Sequence, residues 1–166
     1  MEQQWVEHTF GPCFDEQSRV LLLGSIPSPK SREMGFYYGH PQNRMWKVLA
    51  ALMEEEVPMT VEQRQAFLHR HHIAMWDVLA GCRIAGADDG SIRDPQPNEI
   101  GMILQKAPIQ SIYTTGSKAH ALYKKYILPV TGREDVLLPS TSPANCRYYN
   151  LEKLVEAYRV ICDALK

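Results

Sequence analysis

Four short apolar runs, separated by stretches with helical spacing, constrain this chain more than any other feature. "RVLLLGS" (Arg19 to Ser25) is too short for a helix and carries no period of 3.6, so it reads as a fully buried strand ending at Gly24. "IAMWDVL" (Ile73 to Leu79) and "IQSIYTT" (Ile109 to Thr115) read as two more strands, and "EDVLLP" (Glu134 to Pro139) as a fourth. Between them, Trp46, Leu49, Ala50 and Met53 fall on one helical face, with Asn43 where an N-cap would sit. "TVEQ" (Thr60 to Gln63) is a capping box opening a helix towards His69. Asn98 is placed to cap a helix through Leu104, and Ala119, Leu122, Tyr123 and Tyr126 form another helical face. Leu151, Leu154, Val155, Tyr158, Ile161, Cys162 and Leu165 make one stripe on a single final helix. Strands alternating with helices predict an α/β fold with a mainly parallel sheet.

The chain of 166 residues fits one domain over its whole length, with a single core. Its formal charge of -1 gives no global basic field, so any nucleic-acid surface has to be a local one. Cys13, Cys82, Cys146 and Cys162 form no CxxC pair, which argues for inert thiols rather than a metal site. Unpaired thiols and the lack of a secretory or long apolar segment lead to the expectation of a cytoplasmic protein that engages no membrane.

Ligands of parallel sheets bind beyond the carboxyl ends of the strands. Four loops are expected there: "SIPSPKSREMGFYYGHPQ", "AGCRIAGADDGSIRDPQP", "TTGSKA" and "PSTSPANCRYYN". The first runs into "GFYYGHPQNRMW", which combines rings, glycines, a His-Pro and an Asn-Arg. Tyr38 or Phe36 suits stacking on a nucleobase. Asn43 suits a base edge or a water, and equally a helix cap; His40 before Pro41 equally suits a turn. The second loop is polar and glycine-containing, with no element assigned to it. In the third, Gly116 and Lys118 open a helix, where an anion is attracted, although the phosphate-binding pattern GxxxxGK[ST] is absent. In the fourth, Ser140, Thr141 and Ser142 offer hydroxyls to phosphate oxygens between stiffening prolines, or simply form a capped turn.

"GSIPS" followed by "GFYYGHPQNRMWKVL", with "LPSTSPANCRYY" later, resembles the uracil-DNA glycosylase superfamily. It is most similar to the hypoxanthine (deoxyinosine) DNA glycosylase branch, which is related to the mismatch-specific uracil/thymine enzymes. The closing "LEKLVEAYR" looks like the last helix of the mismatch-specific enzymes. The likeness runs from about Arg19 to Leu165. It implies a three-layer fold with a four-stranded sheet flanked by helices. It implies a monomeric, monofunctional glycosylase without cofactor or metal, acting on DNA that contains deaminated bases, hypoxanthine before uracil. The mismatch-specific enzymes carry an Asn in "GINPG" that positions the attacking water, and here Ile26 stands at that place. The hypoxanthine branch also lacks it, and the Asn of its "HPxNRxW" segment, here Asn43, is implicated in recognising and removing the base. An amide can donate and accept together.

By the same likeness Tyr38 faces the flipped base; Phe36, Ile26, Thr115 and Gly116 are further candidates for binding it. Ser140, Thr141 and Ser142 grip phosphates. Ala144, Asn145, Cys146 and Arg147 fill the space the base vacates, and Ser28 and Lys118 join the DNA-binding set. No residue stands out as a general base; His40 is one candidate, whereas Asp77, near a strand end, reads as a structural hydrogen-bond acceptor. The rival readings are a non-catalytic lesion- or nucleotide-binding module and, far behind, a small hydrolase. The hydrolase needs a GxSxG elbow, which neither "GSIPS" nor "TTGSKA" provides.

Overall fold

The computed structural model describes residues 2–166. Its strands are β1 (Gln4–Glu7), β2 (Val20–Gly24), β3 (Ile73–Asp77), β4 (Leu79–Ala85), β5 (Asp88–Pro97), β6 (Ser111–Thr115) and β7 (Val136–Leu138). Its helices are α1 (Pro29–Met34), α2 (Met45–Met53), α3 (Val61–Arg70), α4 (Gly101–Lys106), α5 (Ser117–Leu122), α6 (Leu128–Thr131), α7 (Leu151–Tyr158) and α8 (Val160–Leu165). A π-helical turn, Tyr123–Ile127, joins α5 to α6.

The four expected strands form one sheet in the order β3-β2-β6-β7, every pair parallel. All residues of β2 and β3 are buried, which is why these runs are apolar throughout rather than alternating. The register sets the strand ends level: Gly24 lies beside Asp77, Leu23 beside Thr114, and Thr115 beside Leu138. The loops that follow are therefore delivered to one edge. The fold is α/β, a four-stranded parallel sheet flanked by helices.

The largest departure lies between Ala80 and Asn98, read from sequence as loop. There β4 and β5 form an antiparallel hairpin, and β1 pairs with β4 to complete a second sheet in the order β1-β4-β5. Cys82, Ile84 and Ile92 point into the core while Arg83, Arg93 and Asp94 face out. Three register shifts in the β4–β5 pairing, Pro95, Pro97 and three glycines hide that alternation from a pattern search. Helix α1 also lies in a presumed loop. Ser28 caps it, its Oγ accepting from the Ser31 N–H, and Pro29 sits at the first turn.

The capping box of α3 is formed as expected. The final helix is bent rather than single, because Arg159 N–H donates to Glu156 O and Cys162 N–H to Arg159 O, tightening one turn between α7 and α8. Leu154, Tyr158 and Ile161 of its stripe are fully buried, while Leu151 is exposed. Residues from both sheets, including Leu21, Met75, Tyr113 and Ile84, pack in one hydrophobic cluster with Trp46, Phe67 and Tyr158. Cys13 and Cys82 are buried, and burial pushes each thiol up to about 11; Cys146, by contrast, is exposed. Among the described residues no helix is long and apolar enough to cross a membrane.

Candidate active site

A cavity of about 350 Å³ opens at the carboxyl edge of the parallel sheet. That is enough for one base-sized ligand in a site of the usual range. Its floor is Gly24 and Asp77, and its walls come from the first loop, the β4–β5 turn, Thr115 and the fourth loop.

Asn43 projects into this cavity from the residues just before α2. The helix starts one residue later than expected: Arg44 is its N-cap residue, and Asn43 Oδ1 accepts from the Met45 N–H at 2.9 Å. The same oxygen accepts from Thr141 Oγ1 at 2.8 Å. The backbone donor fixes the orientation of the amide, and both acceptor sites of Oδ1 are occupied. Asn43 therefore presents donors alone to a ligand. Among the described residues its Nδ2 has no partner. The expectation that this amide donates and accepts together is corrected accordingly.

Tyr38 adopts a left-handed backbone (φ 52°), and its hydroxyl bonds Thr115 Oγ1 at 3.1 Å. Thr115 in turn donates to Leu23 O. The ring is thus anchored across the mouth of β2 and lines the cavity. Burial, then the nearby Asp77 charge, pushes the phenols of Tyr38 and Tyr37 well above their ordinary value, so both remain neutral. Phe36, the other expected stacking ring, is in the core instead. It stacks on Trp46 with centroids 6.1 Å apart and is absent from the cavity wall.

His40 lines the cavity, and its Nδ1 accepts from the Gln42 N–H at 3.1 Å. With Nδ1 taken up by that bond, Nε2 is the ring nitrogen left for a ligand. Ile26, Ser28, Ser140, Thr141 and Ser142 also line the wall. Thr141, however, is 1% exposed with its hydroxyl committed to Asn43, so it is not free to grip a phosphate. Ser140 and Ser142 accept from the N–H groups of Ser142 and Ala144, and Asn145 Nδ2 donates to Ser140 O, which closes the loop on itself. Gly116 (φ 99°) lies under Ser140, where a Cβ would come within 3.3 Å of the Ser140 Cβ; only glycine lets the third and fourth loops meet. Lys118 is half-buried in α5, and Arg147 stands exposed at the tip of the fourth loop.

Several residues here escaped the sequence reading. The buried Arg44 donates to Ser142 O at 3.1 Å and to Tyr149 O, and its N–H donates to Thr141 O, stapling the fourth loop to α2. Tyr158 of α7 holds the same loop from beneath, donating to Pro139 O at 2.6 Å. Asp89, carried over the cavity by the hairpin turn, accepts from Ser25 Oγ at 2.9 Å. Although the residue is exposed as a whole, its carboxyl is sunk against Ser25. Burial raises it above the ordinary range despite the Ser25 hydrogen bond, and the Asp77 charge raises it further. Asp77 itself is 4% exposed and accepts from His8 Nε2 at 2.8 Å. A carboxylate ending an apolar strand was visible in "MWDVL"; its histidine partner, 69 residues away, was not.

These features agree with what the chain is similar to. The profile of the uracil DNA glycosylase superfamily matches residues 12–166. A hypoxanthine DNA glycosylase of Methanosarcina barkeri is 32% identical over 139 residues, covering 83% of this chain and 87% of that protein. One of Methanosarcina acetivorans is 31% identical over 145 residues, covering 86% and 90%. The solution NMR structure of a Methanosarcina acetivorans protein, described as a candidate uracil DNA glycosylase, superposes with a TM-score of 0.79 at 28% identity, over 95% of this chain and 99% of that one. With its family profile, its relatives and its fold in agreement, this chain belongs to the uracil DNA glycosylase superfamily.

Proposed function

We propose that this protein is a monofunctional DNA glycosylase that extrudes a deaminated base, hypoxanthine first and uracil second, and hydrolyses its N-glycosidic bond. The observation that carries the reading is the pinned amide of Asn43. With Oδ1 engaged by Met45 and Thr141, only Nδ2 donors face the ligand. Hypoxanthine offers O6 and N7 as acceptors to such a donor. Adenine keeps N7 but carries an N6 amino group where hypoxanthine has O6, which sets donor against donor at that position alone. The site thus selects for the product of deamination over the intact base.

Extrusion costs a few kcal/mol of unstacking, least at a mispaired base. The anchored ring of Tyr38 provides a stacking face for the extruded base. Ala144 to Arg147 of the fourth loop, of which Ala144 lines the cavity, enter the vacated space. As the glycosidic bond breaks, the sugar becomes cationic and the base anionic. Donors from Asn43 and from His40 Nε2 stabilise the departing base.

The test uses duplexes carrying inosine, uracil, xanthine or a G·T mismatch, followed by alkaline cleavage of abasic sites. Scission at inosine is expected to be fastest, and Asn43→Ala should lower it by ~100-fold or more, as for loss of a transition-state donor. No scission on any duplex defeats the reading. Ile26, 9% exposed and lining the cavity where the mismatch-specific enzymes hold a water-positioning Asn, favours one rival, a lesion-binding module. That rival would show saturable binding to inosine DNA without base release.

A further inference from the structure

Resting on the glycosylase reading above, we propose that Asp77, held by His8, activates the hydrolytic water and supplies at the cavity floor what Ile26 cannot. Asp77 Oδ2 accepts from His8 Nε2 at 2.8 Å, and the two side chains are 6% and 4% exposed. The other oxygen, Oδ1, lies against Gly24, where a Cβ would come within 2.6 Å of it. The sheet's floor is therefore cut away at Gly24 to admit this carboxylate, and Asp77 lines the cavity.

His8 is built in as firmly as its partner. Its N–H donates to Ala80 O at 2.7 Å, and its ring packs 4.7 Å from Phe10 and 6.0 Å from Tyr37. Its Nδ1 is buried and, among the described residues, without a partner. With Nε2–H given to Asp77, a neutral ring leaves only a lone pair unsatisfied, whereas an imidazolium would bury an N–H with no acceptor. The pair therefore carries its single negative charge on Asp77. The groups facing Asp77 are His8 from the segment after β1, Tyr37 and Tyr38 from the first loop, and Asp89 from the hairpin turn. None is cationic when His8 is neutral, so the carboxylate is left to meet positive charge from the substrate. His8 lies outside the residues 12–166 that match the superfamily profile, so this chain's N-terminal segment supplies the positioning group.

The step balances as a hydrolysis. The water oxygen bonds to C1′ while the C1′–N9 bond of the hypoxanthine nucleotide breaks, and the bonding pair leaves on the base. The water's proton passes to Asp77 Oδ1. The departed base takes up a proton, and Asp77 returns its own to solvent, so one water is consumed. Before that transfer, the carboxylate stabilises the cationic sugar.

The experiment is single-turnover release of hypoxanthine from an inosine duplex across the pH range, with duplex Kd and melting temperature measured alongside. Asp77→Asn is expected to lose ~100-fold or more in rate and to lose the acid limb of the wild-type profile, with Kd changed less than about threefold. His8→Gln keeps a donor and should stay within about tenfold of wild type, whereas His8→Phe should fall further and displace the acid limb. Wild-type rates in Asp77→Asn, or a loss that merely follows Kd or melting, overturn the proposal. Should Asp77→Asn fail to fold, a folded His8→Phe with the wild-type pH profile overturns it instead. If wild-type protein releases no base from any duplex, the glycosylase reading falls and takes this step with it. If Asn43→Ala is dead while Asp77→Asn is fully active, only the role of Asp77 falls.

Discussion

Thr141 spends its hydroxyl on a side chain rather than on solvent or phosphate, and that single bond gives the site its polarity. Two donors on Asn43 Oδ1 leave the amide no freedom to turn over. Thr141→Val keeps the shape of the side chain and removes one of those donors. The bond is worth about 1 kcal/mol, so inosine release should fall roughly five- to tenfold with little change in melting temperature, while Thr141→Ser stays near wild type. Discrimination against adenine should weaken in the valine variant, measurable as release of adenine from an undamaged duplex. The sequence showed that Asn43 and Thr141 belonged to suggestive motifs. It did not show that they touch, because 98 residues separate them and a hydroxyl serves a phosphate, a turn or a neighbour equally well.

The elements carry the site by holding two loops together, and Arg44 is the staple. Arg44, 9% exposed, spans the carbonyls of Ser142 and Tyr149 with its guanidinium, while its own N–H reaches Thr141 O. Hydrogen bonds from a charged donor contribute about 1.5–3 kcal/mol each, so Arg44→Ala should lower unfolding free energy in urea by about 2–3 kcal/mol and expose the fourth loop to proteolysis. Arg44→Lys should recover only part of this, since an ammonium cannot span both carbonyls as a planar fork does. The parallel strands and the helices α2, α3 and α7 were legible because each has a clean period or an unbroken apolar run, whereas α1 was hidden in a presumed loop. The β4–β5 hairpin was not, because its bulged register and prolines break the alternation that marks a strand.

In the whole molecule the two sheets meet in a single hydrophobic cluster, with Ile84 and Ile92 of the hairpin packed among residues of the parallel sheet. One cooperative unit is therefore expected, with far-UV and near-UV signals unfolding together in denaturant. Ile84→Ala, although it lies in the smaller sheet, should cost about 2–4 kcal/mol and shift both signals equally; a separate early transition would mean that the hairpin folds on its own. By itself the sequence determined the parallel sheet, most of its flanking helices and the motif residues of the first and fourth loops, because periodicity and local turn chemistry act over a few neighbours. Only the tertiary structure decided that Asn43 Oδ1 is already engaged, that Phe36 is core, that His40 Nδ1 is taken by Gln42 and that His8 lies against Asp77. Those outcomes depend on which group occupies each lone pair and each side of a ring, and no local pattern records that.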